Sequence, residues 1–224
     1  MLDPVARRLL TPPLDRTAAW IDRSWVSPDR VTGVGLVLGL GSAAAAALTL
    51  WPVALALWLV SRLADGLDGP LARRRARHRA GSPTGSPAGS PAGSPAAGSS
   101  EAGGFLDIVC DFTVYGATVV GVAIGVGVDT GAAAWPFLAV LGAYYVNGTA
   151  FLAFSSLAER SGRRLDDGRS LSFIGGLAEG TETVVVHALW MLLPGIAAPV
   201  AWVWAVVVGL GAAQRVWTGY RLLR

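Results

Sequence analysis

Apolar residues run along this chain in long blocks rather than in the short stripes of a soluble fold. About 20 apolar residues cross a bilayer core as a helix, and six stretches approach that length. The first is Val31–Leu50, after which Trp51-Pro52 predicts a tight turn. The second starts near Val53, stays apolar to Val60, and continues as Ser61-Arg62-Leu63-Ala64-Asp65-Gly66-Leu67-Asp68-Gly69, which cannot face lipid. The third, Phe105–Val128, carries Asp107 and Asp111. The fourth is Ala133–Leu157. The fifth, Phe173–Leu193, is interrupted by Glu179 and Glu182, and the sixth is Ile196–Trp217. Residues 13–25 alternate apolar and charged groups at helical spacing and predict a helix lying in the membrane interface. The predicted fold is an all-α membrane protein: six transmembrane helices with an N-terminal interfacial amphipathic helix.

Arginine sorts the loops. The chain has 18 basic residues, all of them arginine. Loops on the cytoplasmic side of a membrane are enriched in such residues. With the N-terminus inside, all of them fall in residues 1–30, 62–104, 158–172 and 214–224, and the opposite turns hold none. The expected location is therefore the plasma membrane, with both termini and the active site on the cytoplasmic side. Residues 1–30 read as a cytoplasmic segment, charged throughout, with no cleavable leader expected. Residues 31–224 read as the catalytic domain. It is interrupted at about 81–100 by a Gly-Ser-Pro repeat whose composition suits a flexible linker.

Composition agrees. Apolar residues make up 53% and charged residues 15%, against about 25% charged in soluble proteins. The single cysteine, Cys110, excludes an internal disulfide and reads as a small core filler. A net charge of +3 and a pI near 9.6 are accounted for by arginines facing anionic lipid, so no nucleic acid is expected. His187, alone in its apolar stretch, reads as a bonded core histidine. Most of the nine tryptophans lie near predicted helix ends, where an aromatic belt is expected.

The chemistry sits in four acids at membrane depth, where ionisable groups are costly. Asp65 and Asp68 are three apart, and Asp107 and Asp111 four apart, so each pair shares a helix face. The two helices run in opposite directions and bring both pairs to one depth. Four facing carboxylates repel unless cations intervene, and their oxygens suit hard divalent ions such as Mg²⁺ or Mn²⁺, two ions being expected. Gly66 and Gly69, with Gly103 and Gly104, would let a phosphate approach backbone, and Arg73 stands one further turn along. Aspartates that merely cap helices or pair with Arg62 and Arg73 would explain one or two acids, but not two spaced pairs.

Asp65-x₂-Asp68-Gly69-x₂-Ala72-Arg73, followed by Gly103-x₃-Asp107-x₃-Asp111, resembles the signature of the CDP-alcohol phosphatidyltransferases. The resemblance implies that Asp65, Asp68, Asp107 and Asp111 hold metal and that Asp111 also serves as general base. It implies transfer of a phosphatidyl-type group from a CDP-linked lipid, with CDP-diacylglycerol the expected donor, to an alcohol acceptor with release of CMP. Gly69 and Arg73 match positions that contact the CDP moiety, beside Gly66 and Ala72. Ser27-Pro28-Asp29-Arg30-Val31-Thr32 is similar to a nucleotide-contacting segment of the family, with Asp29 in place of its usual Asn and Thr32 matching. The chain departs from the pattern between Arg73 and Gly103, where residues 74–102 make 29 in place of the family's usual eight or so. Glu179, Thr181, Glu182 and Thr183 are candidates for binding a neutral or amine-bearing acceptor. Expected partners are the CDP-linked lipid, the acceptor and the bilayer, with a homodimer as one assembly the chain could form. Two other functions compete. A membrane prenyltransferase would need a third aspartate where Ala72 stands, and a cation transporter would need polar groups at several depths.

Overall fold

The computed structural model describes residues 3–23, 26–80, 101–160 and 180–224. They are all helical or connecting, with no strand among them: α1 Asp3–Ile21, α2 Pro28–Ala47, α3 Trp51–Ala80, α4 Glu101–Thr130, α5 Trp135–Arg160, α6 Gly180–Leu192 and α7 Ala197–Leu223, with a 3₁₀ turn at Pro194–Ile196 before α7. Four stretches are long and apolar enough to cross a membrane: Pro28–Ala47, Ala102–Thr130, Trp135–Ala158 and Pro194–Leu223. The other two expected spans fall short for identifiable reasons. In α3 the apolar run gives way to Arg62, Asp65 and Asp68, then to arginines. The described part of α6 has 13 residues, and the rest of the expected fifth span lies outside the described residues, as does the Gly-Ser-Pro repeat.

α2 is the hub, packing along both α3 and α4, while α5 packs along α7 and α6 wedges between α3, α4 and α7. Its inner face is built of small residues: Gly35, Gly39, Ser42, Ala43, Ala45 and Ala46 are buried. Such a face lets helix backbones approach closely where lipid supplies no hydrophobic drive between helices. A methyl group at Gly121 or Gly125 of α4 would overlap the carbonyl oxygens of Ala43 and Ala46. This crossing fixes how α4 lies against α2, and therefore where α4 holds its aspartates. Outward faces are apolar and exposed, as at Val37, Ile124, Leu138 and Val203. The core is apolar too and includes Trp58, Trp190 and Trp204, so these three tryptophans are packing residues rather than members of an interfacial belt. Trp20, Trp135 and Trp217 are exposed.

Two boundaries differ from expectation. Trp51-Pro52 opens α3 instead of forming the turn, because proline suits a first helical turn, where its missing N–H costs nothing. The reversal falls at Leu48–Leu50, where Thr49 adopts φ 59° and the amides of Thr49 and Leu50 return to Ala46 and Ala45. The N-terminal helix begins at Asp3 and not near residue 13, and it runs through Pro12 and Pro13. Leu14 and Ala18 lie on its inner side. Leu14 sits against Gly66 of α3, and Ala18 is fully buried. Beyond its end, Asp22 pairs with Arg74 and Arg75 at 3.1 Å each. Slight burial acts to raise the Asp22 pKa, but the hydrogen bonds and charges of Arg75 and Arg74 outweigh it and hold the carboxyl below its ordinary value. A carboxyl with a depressed folded-state pKa stabilises the fold above its unfolded pKa. That contribution fades as pH falls through the folded value.

Candidate active site

The four aspartates converge, from α3 and α4, at the end of the bundle where α2 begins. They meet as two facing pairs. Asp65 comes within hydrogen-bonding range of Asp111, and Asp68 within hydrogen-bonding range of Asp107. Both pairs bridge the two helices, so the quartet exists only because α3 and α4 pack around α2.

Each pair has its own support. The buried Thr32 hydroxyl, on the first turns of α2, donates to Asp68 Oδ2 at 2.9 Å, and the Gly69 amide donates to Asp68 Oδ1 at 2.6 Å. Thr32, which the family resemblance implies as a nucleotide contact, is thus also tied to the carboxylates. Beside the other pair stands Arg62, one turn before Asp65. Its Nη1 lies 2.7 Å from Asp111 Oδ1 and 3.7 Å from Asp65 Oδ2. The Arg62 side chain is 7% exposed, with Cζ 5.2 Å from the Trp58 ring centroid and 5.0 Å from that of Tyr115. Its Nη2 donates to Ser61 Oγ at 3.1 Å, and Ser61 in turn donates to the Gly35 carbonyl at 2.7 Å.

The other expected site residues are placed as follows. Gly66 is half-buried, with Leu14 beside the position a Cβ would take. Gly69 turns its amide to Asp68. Ala72 and Arg73 are in α3, but their side chains lie outside the described residues. Asp29 is exposed in the first turn of α2. Thr181, Glu182 and Thr183 form the first turn of α6, while Glu179 lies outside the described residues. The start of α6 sits beside the site end of α3, because Trp58 Nε1 donates to the Val184 carbonyl at 3.1 Å. Thr183 hydrogen-bonds Tyr144, whose hydroxyl also lies 3.0 Å from His187 Nε2 and accepts from Trp204 Nε1 at 2.7 Å. His187 is fully buried in this network, as expected of a core histidine, and Cys110 is buried.

Sequence reasoning had counted Arg62 only as a possible partner of the acids. An arginine inside an apolar helix, three residues before the first aspartate, was the available signal. Arg215 was missed as well. It is buried in α7, its Nη1 3.1 Å from Asn147 Oδ1. A groove of about 630 Å³ between α5 and α7, floored by Gly142, Ala143, Gly209 and Ala212, includes none of the aspartates.

The donor set is oxygen only, which suits a hard divalent cation. As placed, no three acidic, histidine or cysteine groups among the described residues surround one point at ligand distance. The carboxylates nonetheless fit such an ion. Two carboxylate pairs in mutual contact, offset by one arginine, leave an excess of negative charge that a divalent ion would neutralise.

No family model matches the chain. Inner membrane protein YnjF of Escherichia coli strain K12 is 32% identical over 229 residues, covering 100% of this chain and 98% of YnjF. Among solved structures, phosphatidylinositol phosphate synthase of Mycobacterium tuberculosis with CDP-DAG bound superposes with a TM-score of 0.67 at 20% identity, covering 92% of this chain and 93% of that one. The same enzyme in complex with manganese and citrate gives a TM-score of 0.63 at 20% identity, over 98% and 89% of the two chains. The chain thus belongs to one family with YnjF and has the fold of phosphatidylinositol phosphate synthase.

Proposed function

We propose that this chain transfers a phosphatidyl-type group from a CDP-linked lipid, CDP-diacylglycerol being the favoured donor, to the hydroxyl of an alcohol, releasing CMP. The observation that carries this reading is the meeting of Asp65, Asp68, Asp107 and Asp111 as two pairs across α3 and α4, with Thr32 bonded to Asp68. Divalent ions, Mg²⁺ or Mn²⁺, held by these carboxylates would neutralise the diphosphate and polarise the phosphorus under attack. Asp111 accepts the proton of the acceptor hydroxyl. The oxygen so freed forms a bond to the lipid-bearing phosphorus, and the bond from that phosphorus to the CMP oxygen breaks. The solved neighbours support the reading, because phosphatidylinositol phosphate synthase has been captured with CDP-DAG and, separately, with manganese and citrate.

In this reading the bundle spans the membrane six times, with α3 and α6 as the two less apolar spans, α1 lying in the interface, and the aspartates on the arginine-rich cytoplasmic side. The acceptor is a neutral or amine-bearing alcohol, since the first turn of α6 beside the site carries Thr181, Glu182 and Thr183 and no base. Release of CMP from CDP-diacylglycerol by the purified chain, in detergent with Mn²⁺ and a panel of alcohols, tests the whole reading. No CMP with any acceptor would overturn it. A marked preference for glycerol 3-phosphate or inositol phosphate would keep the reaction and overturn the acceptor class.

A further inference from the structure

We propose that Arg62 is a positioning residue: a resident counterion of the carboxylate quartet that orients Asp111 for proton acceptance and, by its own charge, limits how tightly divalent ions are held. The inference rests on the metal and general-base reading above and deepens it.

Arg62 is built into the site from three sides. Its charge is fixed, because a guanidinium stays protonated in proteins. Below it lie the faces of Trp58 and Tyr115, with centroids 5.2 and 5.0 Å from Cζ, a placement that attracts a cation electrostatically. Beside it, Ser61 takes Nη2 at 3.1 Å and is itself tied to the Gly35 carbonyl of α2. Above it, Nη1 reaches from α3 across to Asp111 of α4 at 2.7 Å and stays within 3.7 Å of Asp65. The Nε atom is buried without a hydrogen-bond partner.

Two consequences follow, with opposite signs. A hydrogen bond to Asp111 Oδ1 fixes the carboxylate plane and leaves Oδ2 to take the proton, so loss of Arg62 lowers turnover. A cation this close to metal-binding carboxylates, on a side chain itself only 7% exposed, also repels a divalent ion more strongly than it would in bulk water. Loss of Arg62 therefore tightens metal binding. A merely structural ion pair predicts no such split. Its removal would leave metal affinity unchanged or weaken it as the site loosened.

The test uses the full-length chain purified in detergent. Mn²⁺ binding is measured by isothermal titration calorimetry and CMP release by steady-state kinetics, with monodispersity checked by size exclusion. For Arg62→Gln the expected result is Mn²⁺ binding about tenfold tighter, turnover about a hundredfold lower, and a KM for the CDP-lipid within about threefold of wild type. Unchanged or weaker Mn²⁺ binding in a monodisperse Arg62→Gln protein would overturn the counterion role. Arg62→Lys keeps the charge but not the fork, and it decides the matter if the glutamine variant does not fold. It should bind Mn²⁺ within about twofold of wild type and still lose turnover. Wild-type turnover in Arg62→Lys would overturn the positioning role. If the wild-type chain binds no Mn²⁺ at all, the metal reading of the quartet itself fails, a result distinct from any change confined to the variants.

Discussion

Asp65 and Asp111 meet beside a guanidinium, whereas Asp68 and Asp107 meet beside a hydroxyl and a backbone amide. The two pairs are alike in residue type, in spacing and in bridging α3 to α4, yet their negative charge is offset differently. Arg62 brings a full positive charge to the first pair. Thr32 and Gly69 offer the second pair only dipoles, which orient Asp68 without neutralising it. The difference assigns the work. On the proposed metal reading, the second pair would keep more of its charge and be the stronger attractor for a divalent ion. The first pair contains the proposed base, and its arginine holds that base in one orientation.

The harshest test removes the ions. With both pairs dependent on cations, excess EDTA should abolish CMP release, and Mg²⁺ or Mn²⁺ should restore it. Activity persisting in EDTA would mean that neither pair is a metal site, and the contrast between them would lose its functional sense. Asp111→Asn comes next. It keeps the size of the side chain and a carbonyl oxygen for Arg62, but it cannot accept the acceptor proton. Loss of a general base costs about 10²–10⁴ in rate, and CDP-lipid binding should partly survive. Near-normal turnover would move the base to another group and leave Arg62 with nothing to position.

Thr32→Val addresses the second pair with a smaller expected effect. Valine nearly conserves volume but removes the donor to Asp68 Oδ2. A hydrogen bond to a charged group contributes about 1.5–3 kcal/mol. Part of that is recovered by the Gly69 amide and by any bound ion, so a fall in turnover of about tenfold is expected, with a higher Mn²⁺ requirement. Thr32→Ser, which keeps the hydroxyl, should behave nearly as wild type. If Thr32→Val instead weakened only CDP-lipid binding, its effect would lie with the nucleotide, as the family resemblance alone implied.

Much of this site could be read from residue spacing, and what could not be read depended on packing between distant segments. The pairing of Asp65 with Asp68 on one face follows from three-residue spacing, and so does the nearness of Arg62 to Asp65. The reach of Arg62 to Asp111, 49 residues away, and of Thr32 to Asp68, 36 residues away, depends on how α2 seats α3 and α4. Helix periodicity carries no record of that. The apolar blocks announced α2, α4, α5 and α7 to within a few residues. They misplaced the first reversal because Trp51-Pro52 suits a helix start as well as a turn. They also missed the first part of α1, where Val5-Ala6-Arg7-Arg8-Leu9-Leu10 is rich in helix formers but short and charged, and Pro12-Pro13 looked like a barrier. The buried tryptophans were hidden for a similar reason. An aromatic in an apolar block reads the same whether it faces lipid or a neighbouring helix.

The smallest expected effect concerns the segment joining the two halves of the quartet. Asp65 and Asp68 precede the Gly-Ser-Pro repeat and Asp107 and Asp111 follow it, so the repeat is the direct covalent link between the partners of both pairs. If the pairs are aligned by helix packing, the link need only be long enough. The contacts of Gly121 and Gly125 with the α2 backbone and the bond from Ser61 to Gly35 provide that alignment independently of the link. Loop-closure cost changes slowly with length, by about 0.6 kcal/mol for each doubling, and the repeat carries no residues able to form a core. Deleting residues 82–99 leaves 11 of the 29 residues between Arg73 and Gly103, still more than the eight or so usual in the family. Expression, Mn²⁺ affinity and CMP release should all stay within about twofold of wild type. A selective loss of turnover with intact folding would show that the linker itself sets how Asp65 meets Asp111, and the division of labour between the pairs would then owe less to α2 than the packing suggests.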